Sequence, residues 1–127
     1  HPNTSTHLKV TAQFILNMCY NTRMKTKKEL PNATTVSLIG SKWKLLILRN
    51  LIKRPWRFNE LMRSLDGISQ KVLTTSLREL QSDGIIYRKD YQCNPPKVEY
   101  GITDLGLHLQ VLLDQMAAFG DYYKSQI

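Results

Sequence analysis

Four residues, Asp66-Gly67-Ile68-Ser69, separate two amphipathic segments, and this spacing constrains the fold more than any other feature of the chain. Before them, "FNELMRSL" places Phe58, Leu61, Met62 and Leu65 on one side of a helix of about two turns. After them, "QKVLTTSLRELQSD" turns Val72, Leu73, Leu77 and Leu80 inward and leaves Gln70, Lys71, Thr74, Thr75 and Arg78 outside. Gly67 can take positive φ, Ile68 can plug a core and Ser69 can cap the second helix. A short helix, a turn of this length and a polar-faced second helix make a helix-turn-helix.

The flanks complete the unit. Upstream, "LPNATTVSLIGSKWKLLILRNLIKRPW" predicts a short helix stopped at Gly40 and a longer one capped by Ser41 and ended by Pro55. Trp43, Leu46, Ile47, Leu51 and Ile52 share one side of the longer helix, and Leu45 and Leu48 widen it. Lys42, Lys44 and Arg49 fall elsewhere. Downstream, "IIYRKDY" and "KVEYGIT" alternate as strands around "QCNPP", where proline suits a hairpin tip because it cannot donate to a sheet ladder. Thr103 and Asp104 then open a last helix over 103–125. Its apolar stripe is Leu105, Leu109, Leu112, Leu113, Met116 and Phe119, with Gly106 an awkward first-turn residue that costs about 1 kcal/mol.

The fold class that follows is mainly α with a small β-hairpin wing. A winged helix-turn-helix domain is expected over 29–127, preceded by an extension over 1–28 in which "LKVTAQFILNMCY" fits another helix. Met24 could begin the domain proper; residues 1–23 read equally well as a native extension or a remnant of cloning.

Charge narrows the partners. The chain carries a net +8 and an isoelectric point near 9.7, a balance that favours polyanions. Residues 103–127 hold three aspartates against one lysine, so the positive field sits on the preceding residues. No apolar run reaches the roughly 18 residues that cross a bilayer, and "AQFILNMCY" lacks the features of a secretory signal. The expected location is the cytoplasm, where Cys19 and Cys93 would be two reduced thiols. His1, His7 and His108 have no metal-ligand spacing among themselves or with the cysteines. Ser69 lies in no nucleophile elbow, so neither an enzyme, a metal nor a cofactor is expected.

In a helix-turn-helix the second helix enters the major groove while the first crosses the backbone. Residues 69–83 are therefore the candidate recognition helix, with Ser69, Gln70, Lys71, Thr74, Thr75 and Arg78 as candidate contacts. Gln and Arg can bond base edges, Thr an edge or a thymine methyl, and Lys guanine or phosphate. The hairpin over 87–100 becomes a wing whose Arg88, Lys89 and Lys97 reach backbone or minor groove. Arg57 and Asn59 are candidate phosphate contacts, whereas Trp43 and Trp56 read as core. The alternative is a winged-helix module that turns the same face to protein or RNA; steep salt dependence marks the duplex reader.

The stretches "LIGSKWKLLILRNL", "RFNELMRSLDGISQKVLTTSLRELQSDGII" and "PPKVEYGITDLG" resemble, in order, the HxlR-type family of bacterial winged-helix transcription regulators. The resemblance covers about Pro31 to Phe119. It implies a homodimeric regulator of double-stranded DNA whose terminal helices make the dimer, here Phe14, Ile15 and Met18 with the C-terminal stripe. A two-fold dimer implies a roughly palindromic operator. Family members often carry Cys-Pro-Val before the "LIG" element, with that cysteine sensing oxidants in several; this chain has Leu30-Pro31-Asn32. Neither the operator nor an effector follows from the resemblance.

Overall fold

The computed structural model describes residues 30–127. Four helices come first: α1 (Pro31–Ile39), α2 (Lys42–Lys53), α3 (Phe58–Ser64) and α4 (Gln70–Ser82). The hairpin β1 (Ile86–Asp90) and β2 (Val98–Ile102) follows, then α5 (Asp104–Leu107) and α6 (Gln110–Ser125). Phe14, Ile15, Met18 and the whole 1–28 extension lie outside the described residues.

Local chemistry sets the helix ends. Ser41 Oγ accepts the Lys44 N–H at 3.1 Å to start α2, and Ser69 Oγ accepts the Val72 N–H at 3.1 Å to start α4. Each satisfies an amide that has no partner within its helix. Gly67 and Gly84 adopt φ of +89° and +77°, which turns the chain before and after α4. Gly40 stops α1 differently: its φ is −72°, and a Cβ there would strike the Val36 carbonyl oxygen. Glycine is needed for close approach at that position, not for a left-handed turn.

The core lies where α2, α3 and α4 meet the root of the hairpin. Ile47, Leu48, Leu61, Leu73 and Leu80 are fully buried there, with Ile86 sealing the strand end. Trp43, Trp56, Phe58 and Met62 pack against this centre, as their spacing predicts. Val72, expected inside, is instead 37% exposed on the rim of an open groove between α1 and α4.

β1 and β2 pair antiparallel, from Ile86 opposite Ile102 to Asp90 opposite Val98. Trp56 adds a single antiparallel bridge beside β2. Its N–H donates to the Tyr100 carbonyl at 2.9 Å, and the Tyr100 N–H donates back at 2.8 Å. The hairpin root is thereby tied to the segment between α2 and α3.

The single helix expected over 103–125 is interrupted. α5 is one turn, the chain tightens at His108 and Leu109, and α6 begins at Gln110. Thr103 holds the entry: its hydroxyl lies 2.7 Å from the Gly84 carbonyl oxygen and 2.9 Å from that of Ile85, and accepts the Gly106 N–H at 3.0 Å. A Cβ on Gly106 would strike the Ile85 carbonyl oxygen, so the awkward glycine lets α5 press onto β1. The break divides the stripe. Leu105, Leu109 and Leu113 pack against the domain's own core. Leu112, Met116 and Phe119 remain exposed, joined by Val111, Tyr122 and Tyr123.

Candidate nucleic-acid interface

The polar face of α4 follows from what its other face does. Leu73, Ser76, Leu77 and Leu80 are buried, which fixes the rotation of the helix. Gln70, Lys71, Thr75 and Arg78 then stand exposed, and Thr74 is half-buried beside them. Ser69, at the N-terminal end of this row, is exposed and uses its oxygen as the cap. The outward residues thus form one continuous row, led by the end of the helix that carries its partial positive charge.

A half-buried ion pair ties α4 to α2. Lys44 is only 7% exposed, and its Nζ lies 2.7 Å from Glu79 Oε1. The expectation that Lys44 falls off the buried side of its helix is therefore corrected. Positions 44, 47, 48 and 51 form one helical row, and Lys44 shares it with Ile47, Leu48 and Leu51. The aliphatic stem follows the core while the ammonium reaches the Glu79 carboxylate.

Arg57 and Asn59 are both exposed at the start of α3. The Arg57 N–H donates to Glu60 Oε1 at 2.8 Å, and Arg54 Nη1 lies 3.4 Å from the same oxygen. The backbone hydrogen bond, helped by the Arg54 charge, holds the Glu60 carboxyl below its ordinary range. The Arg57 guanidinium is exposed and makes no direct ion pair among the described residues, although its charge also favours the Glu60 carboxylate. Arg54 is committed instead, its guanidinium 3.8 Å from the centre of the Trp56 ring.

The hairpin separates its charges by strand alternation. Arg88 is opposite Tyr100, on the face that also carries Ile86 and Ile102 toward the core. Lys89 is opposite Glu99 on the outer face. Tyr91 extends this face, its N–H donating to the Lys97 carbonyl at 2.9 Å. The three wing cations named from the sequence do not form one group: Lys89 and Lys97 meet around Tyr91, and Arg88 stands apart.

Sequence reading missed Lys44, Tyr91 and Asn50. Asn50 is buried; its Nδ2 donates to Ser64 Oγ at 3.2 Å and its carbonyl accepts Trp56 Nε1–H at 2.9 Å. It joins α2 to α3 and to the Trp56 indole. A polar residue at a core position of an apolar helix was the available signal. Among the described residues there is no cluster of metal-ligating side chains and no helix long and apolar enough to cross a membrane. Cys93 is exposed at the wing tip, its Sγ 3.3 Å from the Pro95 carbonyl oxygen.

This arrangement matches known proteins. The family model of the HxlR-like helix-turn-helix covers residues 38–127. The uncharacterized HTH-type transcriptional regulator YdeP of Bacillus subtilis (strain 168) is 43% identical over 97 residues, which is 76% of each chain. Among solved structures, the redox regulator HypR in its reduced form is similar at a TM-score of 0.72 and 40% identity, covering 75% of this chain and 94% of that one. The reduced form of the transcriptional regulator YodB from B. subtilis aligns at a TM-score of 0.67 and 35% identity, over 73% and 92%.

Proposed function

The chain belongs to the HxlR-like helix-turn-helix family, whose matching relatives are transcriptional regulators, and from that premise we propose how it reads DNA. It acts as a homodimer on double-stranded DNA in the cytoplasm. α4 enters the major groove, and Gln70, Lys71, Thr74, Thr75 and Arg78 meet base edges and nearby phosphates. Ser69, Arg57 and Asn59 contact the backbone beside it. The hairpin supplies phosphate contacts through Arg88, Lys89 and Lys97. The observation that carries this reading is the uninterrupted polar row on α4, held outward by a fully buried opposite face.

The dimer rests on the exposed side of α6. Val111, Phe119 and Tyr122 are 71%, 67% and 63% exposed, far more than an isolated domain gains by showing to water. Gly120 supports the same reading. It sits inside a helix, where glycine costs about 1 kcal/mol, yet among the described residues nothing beyond its own helix backbone and chain neighbours comes within 4 Å of where a Cβ would stand. A second helix packed closely at this point gives the glycine a purpose. Two copies about a two-fold axis would place their reading helices roughly 34 Å apart and select a near-palindromic operator.

HypR is a redox regulator. In this chain Leu30 occupies the place of the usual family cysteine and offers no thiol to oxidise.

Selection of bound duplexes from genomic fragments tests the function. A palindromic motif with binding that weakens steeply as salt rises is the expected result. Enrichment of RNA or of no duplex at all would move the same surface to a different class of partner.

A further inference from the structure

The outer face of the wing carries a cluster that the helix reading leaves unexplained. Lys89 and Glu99 are direct partners across the ladder, a placement in which opposite charges ordinarily attract. Among the described residues no ion pair joins them. Glu99 Oε1 instead accepts a hydrogen bond from the Tyr91 hydroxyl at 2.7 Å. Lys89 Nζ lies 4.6 Å from the centre of the Tyr91 ring, and Lys97 Nζ lies 4.5 Å from the same centre. Tyr91 is 39% exposed, so the whole cluster is at the surface.

The two ends of this tyrosine do different things. A ring face attracts an ammonium through its quadrupole and leaves the positive charge intact. A carboxylate would neutralise it. The phenol engages the carboxylate, and the ring engages the cations. Its hydrogen bond to Glu99, reinforced by partial burial and the nearby negative charge, raises the Tyr91 phenol above its ordinary pKa. A phenol is protonated at neutral pH in any case, so the hydrogen bond to Glu99 is in place there.

We infer that Tyr91 is a positioning residue for the wing: by occupying Glu99 it keeps Lys89 un-neutralised, and with its ring it presents Lys89 and Lys97 as a pair of ammoniums to the phosphate backbone of a duplex. The inference rests on the reading of the hairpin as a DNA-contacting wing. Backbone is the fitting target, because a lysine ammonium is a compact charge without the fork that recognises a base edge.

The experiment measures affinity of the full chain for a short duplex of arbitrary sequence as sodium chloride is varied. Tyr91→Phe keeps the ring and removes the hydroxyl. Glu99 is then released to close on Lys89, and the slope of log affinity against log salt should become shallower by about 0.9, one phosphate's worth. The same substitution made on top of Glu99→Gln should leave the slope where Glu99→Gln alone puts it, because no carboxylate remains to close. A merely structural tyrosine would show the same loss in both backgrounds. That outcome, or a parental slope for Tyr91→Phe alone, overturns the inference. Lys89→Gln with Lys97→Gln and Arg88→Gln tests the underlying reading separately: a parental slope there removes the wing from the backbone altogether. A shallower slope with an inert Tyr91→Phe rejects only the role of Tyr91.

Discussion

Lys44 and Glu79 join the second helix of the domain to the face-setting side of α4 through a contact of 2.7 Å. The ammonium is nearly excluded from water, whereas the Glu79 side chain is 39% exposed. The pair is therefore asymmetric. Fully buried pairs lose about 3–5 kcal/mol when one partner goes, and partial solvation lowers that figure here. Glu79→Ala, which strands a buried ammonium, should cost about 1–3 kcal/mol. Lys44→Met removes the charge itself and keeps the stem, so it should cost less. Denaturant unfolding of both variants checks the order; equal losses would contradict the ion-pair account.

Lys71→Ala and Arg78→Ala should each weaken binding to the selected operator by about 1–3 kcal/mol. Both side chains are exposed, so thermal unfolding should stay at the parental temperature. Binding isotherms on the operator and on single-base variants separate base reading from phosphate contact. Parental affinity in both proteins would place the reading surface elsewhere.

The divided stripe predicts two classes of variant from one segment. Phe119→Asp and Met116→Asp fall on the exposed side of α6 and should give folded monomers with weak operator binding, because the second half-site no longer adds avidity. Leu109→Asp and Leu113→Asp place a charge against the core and should unfold the domain. Sedimentation and circular dichroism distinguish the two. A Phe119→Asp protein that stays dimeric would remove α6 from the interface.

Tyr91 should titrate late. Its folded pKa is raised above the ordinary value near 10, first by the hydrogen bond to Glu99. The contact is fully present below pH 10 and is lost as pH rises through the folded pKa. Subtracting the ultraviolet titration of Tyr91→Phe from that of the parent isolates this phenol. Glu99→Gln should bring it back toward pH 10, and an unchanged midpoint would show that Glu99 does not govern it.

The helices, the caps at Ser41 and Ser69 and the outward row on α4 were legible because each rests on local periodicity and on hydroxyls before apolar runs. Three features were not legible for one shared reason: the deciding neighbour is distant in sequence. Lys44 is buried because Glu79 meets it from another helix. Trp56 forms a bridge to β2 because Tyr100 offers both backbone groups. Gly106 is tolerated in its helix because the Ile85 carbonyl leaves no room for a Cβ. The C-terminal stripe misled through its continuity. Leu105, Leu109 and Leu113 share a period with Leu112, Met116 and Phe119, and only the break at His108 and Leu109 shows that they serve two different surfaces. On the hairpin, alternation alone was enough to part Arg88 from Lys89; the Tyr91 hydroxyl that holds Glu99 was not.

The two hydrogen bonds between Trp56 and Tyr100 give the hairpin an anchored root and a free end. Residues 91–96 are all exposed. Such a ribbon can grow at its tip while its foundation stays still. Each residue added to both strands advances the tip by about 3.4 Å, close to the rise of one base pair along a duplex. Under the proposed reading of the hairpin as a wing on the phosphate backbone, tip length would act as a ruler: insertions there should change how far the protein reaches and leave the sequence preference of α4 as it was.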